Sequence, residues 1–415
     1  MSNGAFTKMP QASFPWDIPQ TKPERPLSQA MERLYDQYLT PRPEDNDLFT
    51  SFKYTQLQGF DYNGGDGTVS RRDPSKIIRV NDLYYMWYTK RHTPIPPSGP
   101  EGCSDTVPST DWDLADIWYA TSADGFNWQE QNVAVSRPRK PGLGWRSVST
   151  PDILVWQGRY YLYYQAFMEA SGLKGDHCPV TMSSANSPQG PWTPCGKIVV
   201  ENGEKGSWDQ FSIHDPYLLV RNGQIHLYYK SAYGDRPEYL VGNGLAIADN
   251  PLGPFNKHPL NPILNSGHET TYFPFKQGVA AFAIRNGNEN NTIQYAADGV
   301  NFSIASVTGL MPIAAGPYVA DAFNSNEYGE GITWGISHFS DKTDPNTKHS
   351  FLGRFDCNLV PDSQVKRGIK PDMKETDIIH HPDVYFAQSL TAEQHLARAE
   401  KALTEPNLIH SSKTI

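Results

Sequence analysis

The chain has no run of lysine or arginine, and across its 415 residues 45 Asp and Glu outnumber 36 Lys and Arg, for a net charge of -9. Such a surface offers no cationic patch to neutralise phosphates, which argues against a nucleic-acid or anionic-membrane partner. A neutral substrate fits better. Cysteine is scarce: Cys103, Cys178, Cys195 and Cys357 are all there are, and no two have C-x-x-C spacing. Neither a zinc cage nor a thioredoxin-type motif is therefore expected. The first residues, MSNGAFTKMPQASFPWDIPQ, lack a basic segment followed by an apolar one, and no stretch is apolar enough to span a bilayer. A cytoplasmic protein without an organic cofactor is the expectation.

What is abundant is turn formers and aromatics. With 33 Gly, 34 Pro, 22 Tyr and 10 Trp, the composition suits many short strands rather than long helices. A unit of strand, tight turn and aromatic strand recurs at Lys76 (KIIRVNDLYYMWYT), Asp152 (DILVWQGRYYLYYQ), Pro216 (PYLLVRNGQIHLYYK) and Tyr272 (YFPFKQGVAAFAI), with a looser copy from Tyr318. The pairs Asn81-Asp82, Gln157-Gly158, Asn222-Gly223 and Gln277-Gly278 suit two-residue turns that need positive φ. Each hairpin is followed by a third strand that closes on a turn and an aromatic, at Trp128, Trp192, Phe255 and Phe302; the fifth copy, HSFLGRFDCNL, lacks the turn. Self-similarity of this kind predicts an all-β, five-bladed β-propeller. A large β-sandwich is the alternative, but it gives no reason for the closing aromatic to recur.

Both ends read differently. Met31, Leu34, Tyr35, Tyr38 and Leu39 fall at helical spacing behind Ser28 as N-cap. A second amphipathic helix is expected from Thr391, with Gln394 completing a capping box and Pro406 beyond its end. The resulting division is an N-terminal helical extension over 1–45, a propeller over 46–365 and a C-terminal extension with a helix over 366–415. Helices flanking a closed propeller have no central core to join, so they should cover its outside or a partner subunit, the partner being favoured for the first.

Seven or eight residues before each hairpin turn stand Asp73, Thr150, Asp215 and Glu269, with Asp321 as the blade-five counterpart. Asp before Pro is a common turn opener and explains any one of them. Three acids at equivalent places around one mouth suggest more, because glycosidic cleavage needs one group to protonate the leaving oxygen and another to activate water or attack carbon. His268, beside Glu269, is a candidate general acid, whereas His214 reads as structural. Trp112 offers a stacking face, and Arg72, Arg146, Thr150 and Gln165 offer hydrogen bonds to sugar hydroxyls. A binding propeller without catalysis is the reading from another class, although it has no need of three equivalent acids.

The segments SRRDPSK, IHDPYLL and GHETTYF, together with LSQAMER near the start, resemble glycoside hydrolase family 117, the 3,6-anhydro-L-galactosidases or neoagarobiose hydrolases. The resemblance implies release of 3,6-anhydro-L-galactose from the non-reducing end of neoagaro-oligosaccharides, by hydrolysis of an α-1,3 bond with inversion. It assigns Asp73 as general base, Asp215 as orienting carboxylate, His268 as acid and Glu269 as the group that tunes it. It also implies a homodimer through the N-terminal helix, and a divalent ion of open identity near the propeller axis. Another five-bladed glycosidase, acting on arabinose- or xylose-containing chains, is the alternative activity.

Overall fold

Three of the four hairpin turns have the backbone that their residues favour. Asn81-Asp82, Gln157-Gly158 and Asn222-Gly223 have positive φ at both positions, the twist that lets two right-handed strands pair without splaying. The fourth turn lies one residue earlier than expected. Phe275 pairs with Gly278, which leaves Lys276 and Gln277 as the loop, and Lys276 takes the positive φ. In the computed structural model of the chain, residues 22–35, 48–171, 178–210, 212–232, 241–324, 328–341 and 349–361 are described.

These hairpins build a five-bladed β-propeller. Blade one consists of Val69–Arg72, Leu83–His92, Ala115–Ser122 and Gln129–Val135, with Ile78–Val80 as a second partner of the long strand. Blade two is Ser147–Trp156, Arg159–Phe167, Val180–Ala185 and Thr193–Pro194; blade three is His214–Arg221, Gln224–Ala232, Val241–Ala248 and Asn256–Lys257. Blade four is Thr271–Lys276, Gly278–Ala283, Thr292–Ala296 and Ser303–Val307, with Gly329–Glu330 added at its inner edge. Blade five is Gly316–Pro317, Ile332–Asp341 and His349–Leu359, and its outermost strand is Lys53–Gln56 from the other end of the chain. That closure explains why HSFLGRFDCNL has no turn after it: its partner is supplied by the N-terminal side.

The recurring aromatic also acquires a physical reason. Trp192 of blade two meets Trp87 of blade one edge-on at 5.8 Å, and Phe255 of blade three meets Tyr163 of blade two at 6.0 Å. Trp128 shares a buried cluster with Trp334 and Ile336 of blade five, and Phe302 one with Tyr228 of blade three. Each closing aromatic thus wedges against the preceding blade and hides its apolar face from water. Farther along the axis from the mouth, Lys76 pairs with Asp152, and its ammonium lies 4.0 Å from the Tyr217 ring centre. Phe323 packs there against the apolar clusters of several blades.

The first helix spans Gln29–Tyr35, with Ser28 as its N-cap: Ser28 Oγ accepts the Met31 amide at 3.3 Å. Ala30, Met31 and Leu34 form its buried face. Arg33 donates to both oxygens of the wholly buried Glu289, at 2.8 and 3.0 Å, and to the Phe302 carbonyl. In the single chain this helix therefore covers the outside of blade four. Tyr38, Leu39 and the C-terminal extension with its expected helix lie outside the described residues. No described helix is long and apolar enough to cross a membrane.

Candidate active site

Asp73, Thr150, Asp215 and Glu269 share one unusual property: all are non-glycine residues with left-handed backbone, at φ of 50°, 49°, 54° and 57°. That conformation costs an L-residue about 1–2 kcal/mol. It recurs because it re-aims the side chain. Thr150 lies in the irregularity between Ser149 and Asp152, and Asp215 in the one between His214 and Tyr217, where the pairing register slips; such bulges bend a strand and redirect its residues. The fifth member of the set is Ala314, φ 46°, and not the expected Asp321. Ala314 lines the same axial cavity as the other four. Asp321 instead accepts the Glu330 amide at 2.9 Å, and burial pushes its carboxyl up to about 6. The ring around the mouth is therefore acid, threonine, acid, acid, alanine.

Arg72 ties two of the acids together, its Nε donating to Asp73 Oδ2 and its Nη2 to Glu269 Oε1, both at 2.8 Å. Asp73 Oδ2 also accepts from Thr89 Oγ1 at 3.3 Å and Thr150 Oγ1 at 3.4 Å. Its Oδ1 is left without a donor. His338 Nδ1 is only 3.2 Å from that oxygen, but it accepts the amide of Asp73 itself at 3.2 Å and so has no proton to give. Burial alone would raise the Asp73 pKa; the Arg72 guanidinium and the neighbouring His338 together outweigh it and hold the carboxylate below its usual range. Glu269 is buried as well, yet Arg285, 2.9 Å from Oε2, and Arg72 hold it well below the carboxylate range.

Asp215 behaves in the opposite way. Burial pushes its carboxyl up to about 6; Lys230 opposes the rise, and the negative charges of Glu269 and Asp73 add to it. Its Oδ2 accepts the Glu269 amide at 3.1 Å, which fixes one acid against the next. Three carboxyls in one mouth thus divide into two anions and one proton carrier, the separation that acid–base chemistry requires. His268 stands beside Glu269 in the same mouth. Burial and the neighbouring Lys230 push its imidazole well below the usual histidine range, so at neutral pH it is uncharged and not a cationic proton donor.

A second ring was missed by sequence reasoning. Thr89, Gln165, Lys230 and His338 on second strands, and Arg285 two residues past the end of the second strand of blade four, return to the mouth beside the first ring. Four of the five touch it directly. Thr89 Oγ1 accepts the Thr150 amide at 2.7 Å, Gln165 Oε1 the Asp215 amide at 3.2 Å, His338 Nδ1 the Asp73 amide, and Arg285 binds Glu269. In blades one to four the signal lay in the sequence as one polar residue seven or eight positions past the turn.

Several of the expected sugar ligands also hold other protein groups. Gln165 spends its Oε1 on Asp215, and its Nε2 lies 3.5 Å from Cys178 Sγ. Arg146 is buried: it pairs with Asp113 and donates to the carbonyls of Ser104 and Val107, clamping the long insertion of blade one. That insertion carries Trp112, whose ring lies 4.7 Å from the Arg72 guanidinium and whose Nε1 donates to Ser171 Oγ at 3.1 Å. Trp112 thus buttresses the arginine between the acids. For a divalent ion, the donor atoms of Asp73, Glu269 and His338 lie within 4.8 Å of one another. Arg72 already spans the two carboxylates and His338 Nδ1 is occupied, so this set does not suit a directly bound cation.

Comparisons with known proteins bear on the fold and the family. The family model described as glycosyl hydrolases family 43 matches residues 67–243. Among solved structures, the chain is similar to Zg3597, a family 117 glycoside hydrolase produced by the marine bacterium Zobellia galactanivorans. Identity is 58% and the TM-score 0.75, over 84% of this chain and 100% of that one. A second structure, described simply as a glycoside hydrolase, is 13% identical with a TM-score of 0.52 over 78% of this chain and 94% of its own, and shares the fold. No curated protein matches.

Proposed function

This protein belongs to glycoside hydrolase family 117, and on that premise we propose that it releases 3,6-anhydro-L-galactose from the non-reducing end of neoagaro-oligosaccharides, neoagarobiose first among them, by hydrolysing an α-1,3 bond with inversion. The observation that carries a glycosidase reading is the set Asp73, Asp215 and Glu269 on equivalent left-handed positions around one axis. Asp73 acts as general base: Oδ1, which accepts no hydrogen bond, takes a proton from the water that attacks the anomeric carbon. Asp215 supplies the balancing proton to the departing glycosidic oxygen, since its carboxyl holds one closest to neutrality. Glu269 stays ionised between Arg72 and Arg285, and its charge helps to keep the proton on Asp215. This reading exchanges the roles that the family resemblance assigned to His268 and Asp215.

Incubation with neoagarobiose, an aryl arabinofuranoside and an aryl xyloside, with products identified, tests the substrate. Anhydrogalactose is expected, and cleavage of the arabinoside or xyloside alone would sink the reading in favour of the second activity. Proton donation is tested separately with an aryl glycoside of the same sugar carrying a good leaving group. Asp215→Asn should recover much of its lost rate there, and recovery by His268→Asn instead would return the acid role to the histidine. We further propose a homodimer formed by exchange of the Gln29–Tyr35 helix between copies, with Arg33 filling the Glu289 socket. Light scattering on the wild type and on Arg33→Ala tests it: a wild-type monomer would refute the exchange.

A further inference from the structure

One carboxylate behind the mouth holds three blades at once. Asp152, on the first strand of blade two, is buried and lines the same axial cavity as Asp73, Thr150, Asp215 and Glu269. Its Oδ1 accepts the backbone amide of Lys76 in blade one at 3.1 Å, and its Oδ2 accepts the backbone amide of Leu218 in blade three at 2.7 Å. The Lys76 ammonium also donates to Oδ2 and rests on the Tyr217 ring. The innermost segments of these blades are sheet edges, so amides on their open side have no ladder partner. Buried, those amides need an acceptor, and Asp152 supplies it to both.

The tie falls where the strained residues need it. Lys76 and Leu218 stand three residues after Asp73 and Asp215, and Asp152 stands two after Thr150. The amides of those three ring residues are themselves held by His338, Gln165 and Thr89. Each of the three is thus pinned at its own amide and again just beyond it, and left-handed backbone persists only where its surroundings over-determine it. Burial pushes the Lys76 ammonium down to about 8 and the Asp152 carboxyl up. Charges so placed add little to stability, which leaves geometry as what the pair supplies.

We propose that Asp152 is a positioning residue for the hydrolysis, joining the inner segments of blades one, two and three so that Asp73, Thr150 and Asp215 keep a fixed spacing around the mouth. The inference rests on the reading of that mouth as the glycosidase site, and it holds whichever group gives the proton to the leaving oxygen. The pairs that Glu269 makes with Arg72 and Arg285 lie outside the tie, so binding should survive its loss while turnover does not.

The test uses whichever glycoside of the substrate assay the full chain turns over, with kcat and KM measured well below the unfolding temperature of each variant. Asp152→Asn should lower kcat by roughly a hundred-fold, the scale of an ångström-sized misplacement, with KM little changed. Lys76→Met combined with Asp152→Asn removes both charges and should regain Tm but not kcat, because the side-chain nitrogen of asparagine cannot accept the second backbone N–H. Recovery of kcat together with Tm would reduce Asp152 to half of an ion pair and overturn the proposal, as would a folded Asp152→Asn with wild-type kcat. An amide-to-ester exchange at Leu218 removes one N–H and keeps every side chain, so it decides the matter even where the Asp152 variants do not fold. There kcat should fall several-fold at unchanged KM, and wild-type kcat overturns the proposal. Amide hydrogen exchange reads the tie without substrate: Lys76 and Leu218 should be among the slowest amides of the wild type, and fast exchange at either overturns it. A chain inert on every glycoside with both amides protected sinks the glycosidase reading and supports the tie.

Discussion

Replacing Asp215 with asparagine should stabilise the protein at neutral pH while abolishing turnover. The rise of the Asp215 carboxyl from 3.8 to about 6 on folding means that the folded chain holds this proton more tightly than the unfolded one. The sign follows: stability contributed by this group is present below 3.8 and is lost as pH climbs through about 6. Above that range the folded state bears a penalty of about 3 kcal/mol, at 1.36 kcal/mol per pKa unit. Asparagine has no charge to desolvate, and its Oδ1 can still accept the Glu269 amide as Asp215 Oδ2 does at 3.1 Å. Thermal unfolding of wild type and variant at pH 8 should show a gain of several degrees, and at pH 5 roughly half of that free energy. A gain that does not change between the two pH values, or a loss at pH 8, would refute the claim that this carboxyl is ionised at a cost to folding.

Removing the cation between the acids has the opposite effect. Arg72→Met leaves Asp73 and Glu269, both bound by Arg72 at 2.8 Å, without their shared partner; a stability loss of about 3–5 kcal/mol is expected in denaturant titrations, with activity lost. Arg33→Ala strands the wholly buried Glu289 and should cost a similar amount, about 3–5 kcal/mol, of which Arg33→Met combined with Glu289→Gln recovers a large part; equal losses in the single and double variants would count against the socket. Arg146→Ala releases the blade-one insertion from Asp113 and should lower Tm and raise protease cleavage within 93–114. A change in KM with unaltered Tm would instead mean that Arg146 touches sugar.

The sequence and the structure part company at particular residues. Blade repeats were readable because Asn222-Gly223 and its counterparts force a turn wherever they occur, and the entry acids were readable because they keep a fixed distance from those turns. Blade five resisted, since its inner strand is only Gly316–Pro317 and its outer strand comes from the other end of the chain. With no hydrophobic alternation to follow, Asp321 stood in for Ala314. Arg146 and Gln165 show another limit: residue type predicts that a side chain can bind a sugar, but only the fold shows that Arg146 holds Asp113 and that Gln165 Oε1 accepts the Asp215 amide. Lys230 and His338 were invisible as single polar residues closing aromatic or apolar strands, where the default is a snorkelling end.

The seam of blade five sets a clock on how this protein can be made. Lys53 pairs with Asp356, so the strand laid down early in synthesis waits for a partner about 300 residues later, roughly 15–60 s at ordinary elongation rates. Until then the propeller is an open arc with apolar wedges on one face and an unpaired strand at its end, the kind of edge that recruits other chains. Ring closure is therefore a late event of high contact order, and slow on that account. A chain shortened past Gln56 would leave His349–Leu359 permanently unpaired on that side, and one stopped before His349 would never close at all.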